Sequence, residues 1–334
     1  MGEATTSAGH KQSWWPLLWG LAALLICPFL PFLIAIVPIQ QTLLLLVPTL
    51  AACSIVGWRF GGRGALAVIW IAFSVWILLQ PAGEAGTQYD QMARGWAVLL
   101  AASFGLVSLW GTSTPFFSRA LTAVGMAIGI GFLIALASPS GIARFQHAAG
   151  EELTRRTSSM IELIQAGLDD PDSRSMLEKF PGAEEVDERA IEMMRVMPSR
   201  ASTLLPALLA LESLAVLAFA WGVYRRLSPV QIGPPLSPLN EFRFNDQLIW
   251  GLAVGATLCL LPAFEGGRNA GYNLLLFFGA LYLIRGIGIL GWISKGRYAL
   301  IVLLGLIPQV FIIVTLALGL GDTWLDLRKR AKAG

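Results

Sequence analysis

The sequence predicts an all-α protein, a polytopic bundle of transmembrane helices carrying a short polar helical insert. Three observations predict it. Of 334 residues, 55% are hydrophobic and only 13% are charged, about half the ~25% charge of a soluble domain. The apolar residues fall in unbroken stretches of 16 to 24 residues, the length at which a helix crosses a hydrocarbon core. A β-barrel would show ~10-residue alternating segments instead. Tryptophans mark many stretch ends, among them Trp14, Trp15, Trp58, Trp110, Trp221, Trp250, Trp292 and Trp324, and an amphipathic ring prefers the headgroup level.

Nine stretches qualify as spans: 14–37, 42–57, 64–80, 95–111, 120–138, 201–224, 247–263, 271–293 and 298–321. Lys11 precedes the first, but the run is too long for a signal-peptide core and no small-x-small cleavage site follows, so it reads as an uncleaved helix. Five spans make an N-terminal bundle within 1–138, and residues 201–334 supply the remaining spans and a basic tail. Between them, residues 139–200 hold 12 of the 21 acids and 8 of the 24 basic residues. Leu153, Met160, Ile161, Ile164 and Leu168 recur at helical spacing. Asp170 before Pro171 starts a second short helix, Pro181-Gly182 ends it, and Val186, Ala190, Ile191, Met194 and Met197 mark a third. About 60 residues are too few to bury a core of their own, so the insert must rest on the membrane, on itself or on a partner.

Lys and Arg in the short loops set the orientation. Nine of them lie on the side of the N-terminal tail, whereas Arg94 and Arg268 alone lie opposite. The tail is therefore expected in the cytoplasm of a bacterial plasma membrane and the insert outside it. Nine spans put Arg328, Lys329, Arg330 and Lys332 outside, against the rule. Eight spans, with 247–263 re-entrant, put them inside.

The net charge of +3 is too small for a nucleic-acid binder. Cys27, Cys53 and Cys259 all sit in apolar stretches, which suits neither a disulfide framework nor a four-ligand metal site. His10 and His147 lie outside the spans, so Ser–His and H-E-x-x-H chemistry within the membrane is excluded, as is a nucleotide motor for want of a P-loop. No enzyme activity, cofactor or metal is expected. The expected partners are the lipid bilayer and either a small-molecule solute or other membrane proteins.

Glu212 and Arg285 are the formal charges within the apolar stretches, at matching depth. A charge at mid-membrane costs at least ~2.5–3.5 kcal/mol and seeks a partner, so each is the other's obvious counter-ion. The pair either serves a polar substrate or fixes helix packing. Asn273 and Gln309, the latter after the helix-breaking Pro308, complete the candidate substrate-binding set. Tyr89-Asp90 and Gly319-Leu320-Gly321-Asp322 look like the two aspartate motifs of presenilin-like proteases. Those aspartates must share a proton within the membrane, whereas Asp90 reads as part of a polar loop and Asp322 as lying past the last span.

A set of markers runs along the chain: Gly57-Trp58-Arg59-Phe60-Gly61, the polar insert before a span ending Tyr224-Arg225-Arg226-Leu227, Glu241-Phe242-Arg243, Asn273-Leu274-Leu275, and Leu320-Gly321-Asp322-Thr323-Trp324-Leu325-Asp326 with Arg328. In this order they resemble the YybS-like family of bacterial multi-span membrane proteins. Arg285-Gly286 departs from that pattern, which more often has an uncharged polar residue before the glycine. The family is remotely similar to the substrate-binding subunits of energy-coupling-factor transporters and to the rod-shape protein MreD. The resemblance implies either a substrate-binding or transport-related membrane subunit or a non-enzymatic scaffold of envelope or division machinery. The energy-coupling-factor subunits usually have six spans and no such insert.

Overall fold

The computed structural model describes residues 38–80, 87–111, 113–138, 141–169, 183–293 and 307–326. The expected first span, the Asp170-Pro171 turn with its short helix, residues 298–306 and the basic tail lie outside them. Among the described residues every regular element is helical. In chain order these are α1 (Ile39–Arg59), α2 (Gly64–Leu79), α3 (Gln88–Trp110), α4 (Phe116–Ala137), α5 (Gly141–Asp169), α6 (Ala183–Leu227), α7 (Ile249–Leu260), α8 (Arg268–Ile293) and α9 (Pro308–Leu325). Six described helices are long and apolar enough to cross a membrane, while α2 and α7 are shorter apolar helices.

Helix α1 is the central post. Pro38 presets the extended backbone before it, and Leu45, Leu50, Cys53 and Val56 are almost fully enclosed by α2, α3 and α6. The chain turns into α2 through Gly61 at φ +89°, a conformation open to glycine without a Cβ clash. Helix α2 is peripheral, with Ala67 and Ser74 its buried residues.

Helix α3 begins at Gln88, seven residues before the apolar stretch does. Thr87 caps it by accepting the Asp90 N–H at 3.2 Å, and Arg94 donates to Asp90 one turn earlier at 2.7 Å. Asp90 is therefore a first-turn helical residue and not part of a loop. Cap and ion pair recruit a polar segment that hydropathy leaves out.

The first helix of the insert, α5, runs unbroken for 29 residues and ends at Asp169 as expected, but the third departs from expectation. The expected third helix is the start of α6, which continues through Pro198 and Pro206 for 45 residues, about 68 Å at 1.5 Å per residue. The hydrocarbon core is ~30 Å thick, so α6 carries the insert as an extension of a membrane helix. Met194, Ala201 and Leu205 are all buried and follow one another at helical spacing, so a single stripe continues past Pro198. Helices α5 and α6 pack as a hairpin, seated where Ala148, Ala149 and Leu205 meet Tyr89 of α3.

At the other end of the bundle, rings of α3, α4 and α6 stack. Phe116 and Trp221 lie 5.8 Å apart, and Phe104 stands edge-on to Trp221 at 6.0 Å. The chain after α6 folds back onto this layer, burying Ile232 and Phe244. Helix α7 has 12 residues, about 18 Å, and falls short of the core thickness. Pro262 opens a 3-10 turn through Gly267 that returns the chain into α8. Helix α9 runs antiparallel to α8, since Gly286 faces Thr315 and Gly319 faces Tyr282. Side chains at those two glycines would overlap the facing backbone carbonyls, so the crossing requires their absence. Because α9 extends to Leu325, Asp322 lies within the helix and not past its end.

Candidate functional site

The four residues singled out from the sequence do not assemble. Glu212 does not pair with Arg285. Asn273 of α8 meets Ala207 of α6, a register that sets Arg285 deeper than Glu212, and each finds nearer partners. Glu212 sits on α6 facing the start of α1, where Gln41 donates to Oε2 at 2.7 Å and Thr42 donates to Oε1 at 3.1 Å. The carboxylate is 8% exposed and makes no ion pair among the described residues. Gln41 in turn accepts the Tyr89 hydroxyl at 2.7 Å. One helical turn of α1 thus ties α3 to the acid on α6.

This network continues into the insert. The Arg156 guanidinium of α5 lies 5.1 Å from the centre of the Tyr89 ring and donates to Glu152 at 2.9 Å. Arg155 donates to the same carboxylate at 2.7 Å. Burial pushes the Glu152 carboxyl up, but the Arg155 hydrogen bond and the Arg156 charge outweigh it and hold the group below its ordinary value. A cavity of about 70 Å³ opens beside Tyr89, Glu151, Glu152 and Arg155. A larger cleft of about 370 Å³ lies between α5 and the extension of α6.

Arg285 belongs to a different cluster. Its Nε and one Nη bond Asp322 at 3.0 and 2.9 Å, its other Nη bonds Asp246 at 2.8 Å, and Phe244 lies under it at 5.3 Å. The guanidinium therefore locks α8, α9 and the entry to α7 together. Asn273 sits against α6 at Pro206. It accepts the Ala207 N–H at 2.9 Å and donates to the Thr203 carbonyl at 2.7 Å, two groups that bond each other in a regular helix. Neighbouring side chains satisfy backbone at proline breaks in this way. Gln309 is exposed in the first turn of α9 and joins none of the other three.

The most informative residues that the sequence leaves out of the candidate set are Gln41, Tyr89, Asp322 and Arg119. Arg119 reads as a loop cation yet is 1% exposed. It donates to the Gly111 carbonyl at 2.6 Å and the Ile232 carbonyl at 3.3 Å, and lies 4.8 Å from the Trp221 ring centre. Several marker segments converge at this end. A Cβ at Gly57 would strike the Tyr224 hydroxyl, which donates to the Val230 carbonyl at 3.0 Å. Arg225 donates to the Gly233 carbonyl. Trp221 donates to the Pro234 carbonyl at 3.2 Å, and Arg243 bonds Asp326 at 2.7 Å. Asp90 and Asp322, the residues of the two aspartate motifs, are engaged by Arg94 and Arg285 respectively, so they form no dyad.

Residues 120–323 match the model of a family described as "Predicted membrane protein (DUF2232)". The match covers α5 and α6 together with Glu212, Asn273, Arg285 and Gln309, and leaves α1, α2 and α3 outside it. No curated protein and no solved structure matches the chain.

Proposed function

This chain belongs to the DUF2232 family of membrane proteins, and from that premise we propose that it is a substrate-binding, transport-related membrane subunit working at its insert end. One observation carries the reading. Glu212 is a buried carboxylate in a membrane helix, held by neutral donors and linked through Gln41 and Tyr89 to the insert. Intramembrane acids of this kind mark solute and ion paths. Arg285 is tied by two carboxylates and Asn273 by backbone groups, whereas Glu212 is held by neutral donors that a ligand could replace. The resemblance to YybS-like proteins, and through them to energy-coupling-factor subunits, supports the same class by analogy of fold. The protein works without enzyme chemistry in a bacterial plasma membrane, with the insert on the extracytoplasmic side.

A second reading, a scaffold for envelope or division machinery, is favoured by a separate feature. Leu163 and Val196 of the hairpin are 69% and 42% exposed, apolar groups suited to a protein partner. Native mass spectrometry of the protein purified from its own host separates the two. A small-molecule adduct present in the wild type and absent in Glu212→Gln supports solute binding. A stoichiometric protein partner supports the scaffold, and an adduct indifferent to Glu212→Gln refutes the assigned site.

A further inference from the structure

The larger cleft lies outside the bundle and does not depend on the solute reading. It is walled by Gly150, Thr154, Ser158 and Ile161 of α5 and by Arg195 and Ser202 of α6, and has a volume of about 370 Å³. Its depth follows from the helices. The candidate membrane span of α6 starts at Ala201, so Ser202 lies at its start and Arg195, six residues before Ala201, about 9 Å further along the helix at 1.5 Å per residue. The headgroup layer is roughly 5–8 Å thick on each side of the core. The cleft therefore adjoins the start of the candidate span, within reach of the headgroup level of a bilayer that the span crosses.

Its lining is rich in hydrogen-bond donors. The hydroxyls of Thr154 and Thr157 donate back to carbonyls of α5 at 2.8 Å. Neither the Ser158 hydroxyl nor the Arg195 guanidinium has a hydrogen-bond partner among the described residues. Glu162 and Glu192, exposed on the same two helices, form no ion pair with Arg195. A fork of five N–H groups beside a free hydroxyl suits the tetrahedral oxygens of a phosphate group, and Ile161 with Pro198 gives the cleft an apolar flank against which an acyl or glycerol segment can rest.

We propose that the cleft between α5 and α6 is a phosphate-binding site, with Arg195 and Ser158 as its donors. A phospholipid headgroup and a free phosphate share that chemistry, and the test separates them. The full-length protein in neutral detergent is offered phosphatidylglycerol, and separately inorganic phosphate, as wild type, Arg195→Gln and Arg144→Gln. Arg144 is exposed near the start of α5 and controls for general positive charge. Both arginines are exposed, so neither change endangers folding. Lipid retained through native mass spectrometry by wild type and Arg144→Gln, and about tenfold less by Arg195→Gln, identifies a lipid headgroup site. A phosphate-dependent rise in Tm lost in Arg195→Gln, without lipid retention, identifies a free-phosphate site. Binding of neither probe, or equal binding by Arg195→Gln, overturns the proposal.

Discussion

Arg285 and Glu212, toward opposite ends of the bundle, are buried charges treated in opposite ways. Around Arg285, each end of the guanidinium meets a carboxylate, and Arg119 is wrapped by carbonyls and a tryptophan ring. Chain that folds back after α6 completes this layer, and the glycines of α8 and α9 let two backbones touch. At the insert end, Glu212 meets an amide and a hydroxyl and forms no ion pair among the described residues, under a hairpin with two cavities. The first arrangement is saturated in charge, its cations met by carboxylates or carbonyls. The second is satisfied only by neutral groups that can trade a hydrogen bond for another. The contrast teaches that Arg285, paired with carboxylates, marks structure, whereas Glu212, held by neutral donors, marks the place to look for function.

The largest effect expected is at the saturated end. Arg285→Met leaves Asp322, 0% exposed, without its counter-ion, and breaking a buried pair by removing one partner costs about 3–5 kcal/mol. The variant should lose most of its monodisperse peak in size-exclusion chromatography. Arg285→Met with Asp322→Leu removes both charges and should recover much of it. A double variant no better than the single one would show that the pair is not what joins α8 to α9. Next in size is Gly319→Ala, whose methyl would overlap the Tyr282 carbonyl. Overpacking against backbone costs about 1–3 kcal/mol or more, read as a lower Tm, whereas Gly321→Ala, with nothing near its Cβ position, should match the wild type.

At the insert end the same kind of change should be milder and should depend on shape. Glu212→Gln keeps an oxygen for Gln41, and Thr42 can turn its hydroxyl toward the Pro38 carbonyl, already 3.4 Å away. Its Tm should stay close to wild type. Glu212→Ala strands the Gln41 amide, which is 6% exposed, at a cost of about 1–3 kcal/mol. If Glu212→Gln instead unfolds the protein as Arg285→Met does, the two ends are alike and the contrast fails.

Much of this was legible in the sequence, and the remainder has a common physical cause. Hydropathy counts apolar side chains along the chain, so it finds α1, α4 and α8 and the exceptional status of Glu212 and Arg285. It is blind to azimuth and to distant partners. Arg285 turns to Asp322 and Asp246, 37 and 39 residues away, and no local pattern announces either. Arg119 counts as a loop cation because its partners are carbonyls delivered by the segment after α6. The end of the charged insert at residue 200 reads as a boundary because the apolar stretch starts at 201, yet the buried stripe through Met194, Ala201 and Leu205 carries one helix across it. Asn273 reads from the sequence as a candidate substrate-binding residue; its role in bracing the Pro206 turn needs the neighbouring helix.

The smallest effect sharpens the comparison most, because it asks whether the insert end is one network or two adjoining contacts. Tyr89 has a hydroxyl that donates to Gln41 and a ring that faces Arg156 of the hairpin. Tyr89→Phe removes only the hydroxyl, worth about 0.5–1.5 kcal/mol, and keeps the ring. Tyr89→Leu removes both the hydroxyl and the aromatic face that attracts the guanidinium. If the ring seats the hairpin, amide hydrogen exchange over Phe145–Arg156 should be unchanged in Tyr89→Phe and faster in Tyr89→Leu. Faster exchange already in Tyr89→Phe would mean that the hairpin senses the hydrogen bonds around Glu212. The buried acid and the insert would then form a single responsive unit, a coupling that the saturated end, with its charges locked in place, has no means to provide.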